Sequence, residues 1–276
     1  MNTLHKSPLG KHSAYSDQYD PGLLFAVPRT RQRTGIGIGD ETALPFHGYD
    51  IWHAYELSWL NLNGLPQIAI GRLGFPASSP NIVESKSLKL YLNSFNQTRL
   101  ESAAILKLAL EQDLHAASGT EIIVEIVLPE HFSELRLSEP PGLLLDTLTP
   151  SISHYQPHPE LLTHTDTPAR EALVSHLLKS NCPITGQPDW ASLLIDYGGP
   201  RIDHEGLLAY IVSYRQHAGF HEHCVERIFM DLMRRCRPEY LTVEARYTRR
   251  GGLDINPVRS TEPFPYARAS GRLARQ

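Results

Sequence analysis

Apolar residues in this chain come in short bursts, some alternating and some at helical spacing, and turn signals separate the bursts. From Asp50, DIWHAYELSWL carries the aromatic and aliphatic residues that favour a strand. Asn63-Gly64 then supplies a hairpin turn, and PQIAIGRLGF resumes as the partner strand. NIVESKSLKLYLNSFNQTR follows, with Glu84-Ser85-Lys86 at the entry to a helical turn. LESAAILKLALEQDL predicts a helical segment in which Ala104, Ile105 and Leu108 share a face that Glu111 interrupts. EIIVEIVL, residues 121–128, returns as a strand.

The second half repeats the plan. ALVSHLLKS, residues 172–180, has helical spacing, and WASLLIDY alternates like a strand, with GGPRI turning and pairing back. DHEGLLAYIVSYRQH reads as a helix with Asp203 as its N-cap. In FHEHCVERIFMDLMRRCRPEY, residues Val225, Ile228, Phe229, Leu232, Met233 and Cys236 form one core-facing stripe, and Pro238 ends that helix. LTVEARYTRRGGLDINPVRS predicts a final strand pair around an Arg-Arg-Gly-Gly turn. The pattern therefore predicts two similar α+β modules, at 46–128 and 169–276. A connector rich in Pro, Ser, Thr and His spans 129–168, and a polar, turn-rich arm spans 1–45. Within the arm, GIGIGD (Gly35 to Asp40) lacks the buried strand and following helix of a dinucleotide loop, so it reads as a turn.

Composition narrows the function classes. A formal net charge of −4 over 276 residues gives no global argument for nucleic-acid binding. No apolar run approaches the roughly 20 residues of a membrane span, and the N-terminus has no apolar signal core. Three cysteines, an odd and sparse set, suit a reducing cytoplasm. His154, His158 and His164 in the connector read as surface histidines rather than as metal ligands.

Four clusters place polar groups where packing does not require them. Cys182 sits in SNCPITGQPDW with Asp189 seven residues on, a nucleophile beside a proton-transfer group, or alternatively a packing cysteine. Glu84-Ser85-Lys86 could equally be a solvated helix entry. His221-Glu222 opens a helix, where a carboxylate also complements the dipole. Arg249-Arg250-Gly251-Gly252 can present guanidinium and main-chain N–H groups to an anion, or be a plain hairpin turn.

Taken together, NIVESKSLKLYLNSFNQTR, LLKSNCPITGQPDW, FHEHCVERIF and RYTRRGGLDINPVRS resemble the long, two-module NADPH-dependent 7-cyano-7-deazaguanine reductases, nitrile reductases of queuosine biosynthesis. The resemblance runs from about Tyr15 to the C-terminus and is weakest in the connector. It implies two tandem tunnelling-fold (ββααββ) modules with antiparallel sheets packed on helices. The first half keeps Glu-Ser-Lys but no cysteine, and the second keeps Cys182, Asp189 and His221-Glu222 but no Glu-Ser-Lys. That distribution implies duplication with complementary loss, so that neither half works alone. The resemblance assigns Cys182 as nucleophile and Asp189 as proton donor. Ile82, Val83, Glu84, His221 and Glu222 go to the substrate, and Ser85, Lys86, Arg250 and Gly251 to NADPH. It implies no metal, no nucleic acid bound directly, no membrane, and a homodimer. The rival expectation is a tunnelling-fold purine or pterin hydrolase or a cyclohydrolase-like enzyme, with Cys182 as zinc ligand or hydrolytic nucleophile.

Overall fold

The structure, a computed structural model, describes residues 15–39, 44–269 and 271–276. Asp40, the last residue of the GIGIGD segment, lies outside the described residues, as do residues 1–14 and 41–43 of the N-terminal arm. The chain divides into two units: Met1–Arg31, Ile51–Arg136 and Arg249–Asp254, and Gln32–Asp50, Leu137–Thr248 and Ile255–Gln276.

In the first unit, β1 (Ala26–Pro28) pairs antiparallel with β4 (Asn81–Val83). Strands β2 (His47–Leu60) and β3 (Pro66–Pro76) form a hairpin, and β5 (Ile123–Val127) adds antiparallel to β3. The β2–β3 turn follows from its residues. Asn61 Oδ1 accepts from the N–H groups of Asn63 and Leu65, both at 3.0 Å, and Gly64 takes a φ of 82° that a side chain would resist. Helix α2 (Ser85–Asn93) follows β4 directly, and α3 (Ala103–Ser118) runs from its Ser102 N-cap to Gly119 in the left-handed conformation. Asp113 of α3 accepts from both Tyr19 Oη (2.7 Å) and Tyr91 Oη (2.6 Å), which ties the entering chain to both helices. Burial and that bond push the Tyr19 phenol up to about 12.

The apolar face of α3 differs from the one its sequence suggests. Leu106, Leu110 and Leu114, at i, i+4 and i+8, are fully buried, whereas Ile105 and Leu108 are 41% and 60% exposed. One row of leucines at helical spacing is enough to seat the helix.

The second unit carries the complete ββααββ order. Its strands are β7 (His164–Asn181), β8 (Pro188–Ile202), β9 (Tyr240–Tyr247) and most of β10 (Leu253–Ser260). They run in the order β10-β9-β8-β7, and the short β6 (Leu143–Leu144) lies parallel to β7. Helix α4 (His204–Ser213) packs against β7, and α5 (His221–Cys236) against β9. Asp203 caps α4 by accepting from Gly206 N–H at 3.0 Å. The stripe expected on α5 is buried at Val225, Ile228, Phe229, Leu232 and Cys236, with Met233 partly covered. With its antiparallel sheets on helices, the chain is α+β and built of two tandem tunnelling-fold modules.

Two local expectations fail here, each for a traceable reason. Residues 172–180 are strand, not helix. Ser175 pairs with Leu193 but Leu178 pairs with Ala191, so β7 advances three residues while β8 advances two. That bulge shifts the alternation by one, which brings Leu173 and Leu178 both into the core and mimics helical spacing. Nor does GGPRI turn back, because β8 continues to Ile202. Its glycines answer close approaches: a Cβ on Gly198 would lie 2.5 Å from the Tyr240 ring, and Gly199 has a φ of 141°.

The GIGIG segment is the turn that closes α1 (Thr30–Thr34), with Ile36 and Ile38 N–H groups both donating to Arg33 O. Arg33 itself is buried in an ion cluster. Glu226 of α5 accepts from Arg33 (2.7 Å) and Arg259 (2.8 Å), and Arg259 also pairs with Asp50 (2.8 Å). Both guanidinium groups lie over the Phe46 ring, at 5.6 and 5.3 Å. Further along β2, Gly48 has a φ of 139°, and a Cβ there would sit 2.0 Å from Val258 O. Gly48→Ala is expected to cost about 2 kcal/mol or more. A urea-unfolding midpoint unchanged from wild type would contradict that reading.

In the connector, Asp146 accepts from Ser175 Oγ (2.6 Å) and His176 N–H (2.8 Å), anchoring it on β7. His154 and His158 stack at 3.9 Å, and His164 opens β7. Among the described residues, no group of three or more His, Cys, Asp or Glu is placed to hold a metal ion. No helix among them is long and apolar enough to cross a membrane.

Candidate active site

The hairpin between β7 and β8 puts a thiol and a carboxylate at the two ends of one turn. Cys182 N–H donates to Gln187 O at 2.9 Å, and Gly186 N–H donates to Cys182 O at 3.0 Å. Gly186 permits this with a φ of 68°. Asp189 starts β8 opposite Ser180, so the two functional groups flank a closed turn. Cys182 is 6% exposed and Asp189 4%, so each faces the protein rather than bulk water.

Neighbouring backbone fixes where α5 begins relative to this turn. Asn181 N–H donates to His217 O at 2.8 Å, and Gly219 N–H returns to Asn181 O at 3.1 Å. The helix then opens on His221, whose Nε2 lies 3.3 Å from Asp189 Oδ2. Its ring stacks on Tyr247 of β9 with centroids 3.8 Å apart and planes 15° from parallel. His221 Nδ1 is buried without a hydrogen-bond partner. Glu222, 4% exposed, occupies the first turn of α5, where the helix dipole favours a carboxylate. Cys182, Asp189, His221 and Glu222 therefore all belong to the second unit.

Sequence reading missed three neighbours of this cluster: Ser180, Cys224 and Tyr247. All three are fully buried. Burial pushes Cys224 up to about 12, and the nearby Asp189 and Glu222 charges add to it. Burial likewise pushes Cys236 up to about 11. Both remain protonated thiols near neutral pH. His217 is pushed down to about 4 by burial and by Arg227 and His223, so it is neutral there. The only sequence signal for Cys224 was its position two residues after Glu222.

The first unit holds the remaining predicted residues. Ile82 and Val83 are the buried end of β4, and Glu84 is the N-cap of α2. The Glu84 carboxylate accepts from Lys86 N–H (2.6 Å) and Ser87 N–H (3.0 Å), and Ser85 Oγ lies 3.3 Å away. Three of its roughly four lone-pair positions are thereby used, which fixes its direction and leaves limited acceptor capacity. Ser85 and Lys86 are half-buried.

The turn between β9 and β10 comes to the same unit. Arg250 N–H donates to Leu253 O (2.9 Å), Leu253 N–H donates to Arg250 O (3.2 Å), and Gly251 and Gly252 take positive φ of 59° and 79°. Lys89 of α2 reaches Gly251, where a Cβ would lie 2.9 Å from its Nζ. Arg249 stacks over Tyr55 at 4.2 Å, and Tyr55 Oη donates to Asp254 at 2.6 Å. His53 Nδ1 lies 2.7 Å from the same carboxylate. Cationic side chains around a bare glycine turn fit the phosphates of a dinucleotide such as NADPH.

Residues 15–126 match the family model described as "Nitrile reductase, 7-cyano-7-deazaguanine-reductase N-term", and residues 188–264 match "QueF-like protein". A protein of Bordetella pertussis named NADPH-dependent 7-cyano-7-deazaguanine reductase is 56% identical, covering 99% of this chain and all of its own. Proteins with the same name from Bordetella avium and Burkholderia multivorans are 58% and 54% identical. They cover 93% and 100% of this chain, and 94% and 100% of their own lengths. With more than half its residues shared along nearly its whole length, the chain belongs to the family of NADPH-dependent 7-cyano-7-deazaguanine reductases.

Proposed function

We propose that this protein reduces the nitrile of 7-cyano-7-deazaguanine to the primary amine 7-aminomethyl-7-deazaguanine, with two NADPH, through a covalent thioimide on Cys182. The product serves queuosine tRNA modification. The observation that carries this reading is the β7–β8 turn, with Cys182 and Asp189 at its ends and His221 beside the carboxylate.

A nitrile carbon is a weak electrophile, and a thiolate makes it a better one by adding to it. Cys182 Sγ bonds to that carbon, and Asp189 delivers a proton to the nitrogen, leaving a C=N–H thioimide. NADPH supplies one hydride to this carbon and, after the thiol has left, a second to the resulting imine. Asp189 is reprotonated between these steps, and His221, 3.3 Å from it, orients its carboxyl. Four electrons and four protons balance nitrile to amine, and Cys182 ends as it began. Glu84 and Glu222 accept N–H bonds from the guanine-like edge of the substrate, with Ile82 and Val83 as apolar lining and His221 adjacent. Ser85, Lys86, Arg250 and Gly251 hold the cofactor.

The same reading divides the chain into modules at 46–128 and 169–276, with 1–45 as arm and 129–168 as connector. Two separate family-model matches, 15–126 before the connector and 188–264 after it, support the two-module part of that division. A cytoplasmic homodimer follows from the sparse cysteines and from the resemblance.

The protein mixed with 7-cyano-7-deazaguanine is expected to oxidise two NADPH for each amine formed, read by cofactor absorbance and product mass. Nitrile that is hydrated, or unchanged, without NADPH consumption would overturn the reductase reading in favour of a hydrolase.

A further inference from the structure

We propose that Gln276 and Asn256 are positioning residues for the reaction, gripping Tyr247 so that its ring holds His221 beside Asp189. This role rests on the reading of Asp189 as proton donor and goes beyond it. Asn256 lies in β10 and Gln276 at the end of segment 271–276, neither of which the chemistry of the site has called on.

Tyr247 is the last residue of β9 and pairs with Ala191 of β8. Its ring meets the His221 imidazole nearly flat, with centroids 3.8 Å apart. At that separation the two rings are in van der Waals contact, so a shift in one is felt by the other. The imidazole in turn stands 3.3 Å from Asp189 Oδ2. Moving the ring by about 1 Å would change that approach, and displacements of this size can cost about 100-fold in rate. A ring at the end of a strand is fixed only as well as the main chain that carries it.

Two side-chain amides fix that main chain. Asn256 Oδ1 accepts from Tyr247 N–H at 3.2 Å, and Gln276 Nε2 donates to Tyr247 O at 3.2 Å. Gln276 Nε2 also donates to Asn256 Oδ1 at 2.7 Å, which closes a ring of bonds on this one residue. Asn256 and Gln276 are both buried, so water does not compete for these bonds. Gln276 is itself held. Its Oε1 accepts from Leu273 N–H (3.0 Å), and its main-chain O accepts from Arg272 Nε (2.9 Å). Arg272 O accepts from Ser138 N–H (2.9 Å), and Gly271 O accepts from Arg246 Nη1 (2.7 Å). Residues 271–276 are thus moored to the connector and to β9 before Gln276 reaches Tyr247. Filling the core here would need only an apolar side chain. Two buried amides bonded to one residue's main chain fix its orientation as well.

Steady-state kinetics with NADPH and 7-cyano-7-deazaguanine, and NMR of the full-length protein carrying isotope-labelled histidine, test this together. The His221 ring signal is assigned by its disappearance in His221→Asn. Gln276→Met and Asn256→Leu fill nearly the same space without the amides. Both are expected to lower kcat about tenfold, with KM for either substrate changed by less than about twofold, and to move the His221 signal. A plug that only stabilises the fold would lower the urea midpoint and leave kcat and the His221 signal of the folded protein unchanged, and that result overturns the proposal. A lower kcat with an unmoved His221 signal overturns it too. Should either variant not fold, Tyr247→Phe, which keeps the ring, and Tyr247→Leu, which does not, decide. A kcat that falls in Tyr247→Leu and recovers in Tyr247→Phe supports the proposal, and equal kcat in the two overturns it. Activity lost in His221→Asn but kept in Gln276→Met would overturn the proposal alone. Full activity in His221→Asn would overturn the reading of His221 at Asp189 as well.

Discussion

Cys182→Ala is expected to form no covalent adduct when 7-cyano-7-deazaguanine is supplied without NADPH, and to lose turnover by on the order of 10⁴-fold or more. The mass spectrum of wild-type protein under the same conditions should show one added nitrile. One adduct is expected because the three thiols differ in their surroundings. Cys224 and Cys236 are fully buried and pushed up to about 12 and 11, so neither offers a thiolate near neutral pH. Cys182 sits instead at a turn whose other end carries Asp189. Removing Sγ deletes the step that makes the nitrile carbon reactive toward hydride, while the turn's backbone bonds to Gln187 and Gly186 remain. Both losses should therefore appear in folded protein. An adduct that survives Cys182→Ala would move the nucleophile elsewhere.

Glu226→Ala is expected to cost about 3–5 kcal/mol of stability, read as a large fall in the urea-unfolding midpoint. Glu226 is 2% exposed and holds both Arg33 and Arg259, themselves 1% and 0% exposed. Arg259 keeps Asp50 as a second partner, but losing Glu226 removes the carboxylate that both guanidinium groups share. A buried guanidinium is tolerable while a carboxylate is hydrogen-bonded to it, and removing that carboxylate is costly. Lys107→Ala supplies the contrast. Its partner Glu111 is 3.7 Å away on the exposed side of α3, and the loss there should stay within about 0.5 kcal/mol. A Glu226→Ala midpoint shift as small as that of Lys107→Ala would show that the cluster contributes no more than a surface pair.

How far the fold could be read in advance depended on the kind of signal. The β2–β3 hairpin, α4, α5 and the β9–β10 pair each carry their cause in adjacent residues: Asn63-Gly64, an Asp203 cap, an apolar stripe, a glycine turn. Strand β7 does not. Its bulge between Ser175 and Leu178 exists only because β8 pairs alongside, and a local reading of the alternation mistakes it for helix. Gly198 and Gly199 look like a turn for the same reason, since Tyr240 and Pro238, which crowd them, are some forty residues away in sequence. The α3 face was misjudged because Ile105 and Leu108 are as apolar as Leu106 and Leu110, and only packing decides between them.

By itself the sequence determined the class, the two-module plan, the family, and the short strings on which the chemistry was sought, because turns, caps and motifs are local. Tertiary structure decided what stands beside those strings. It put His221 against Asp189 and Tyr247, closed the start of α2 with Glu84, and laid Lys89 over Gly251. Each of these pairs joins residues brought near by strand register or helix packing, and a contact of that kind has no local pattern to announce it.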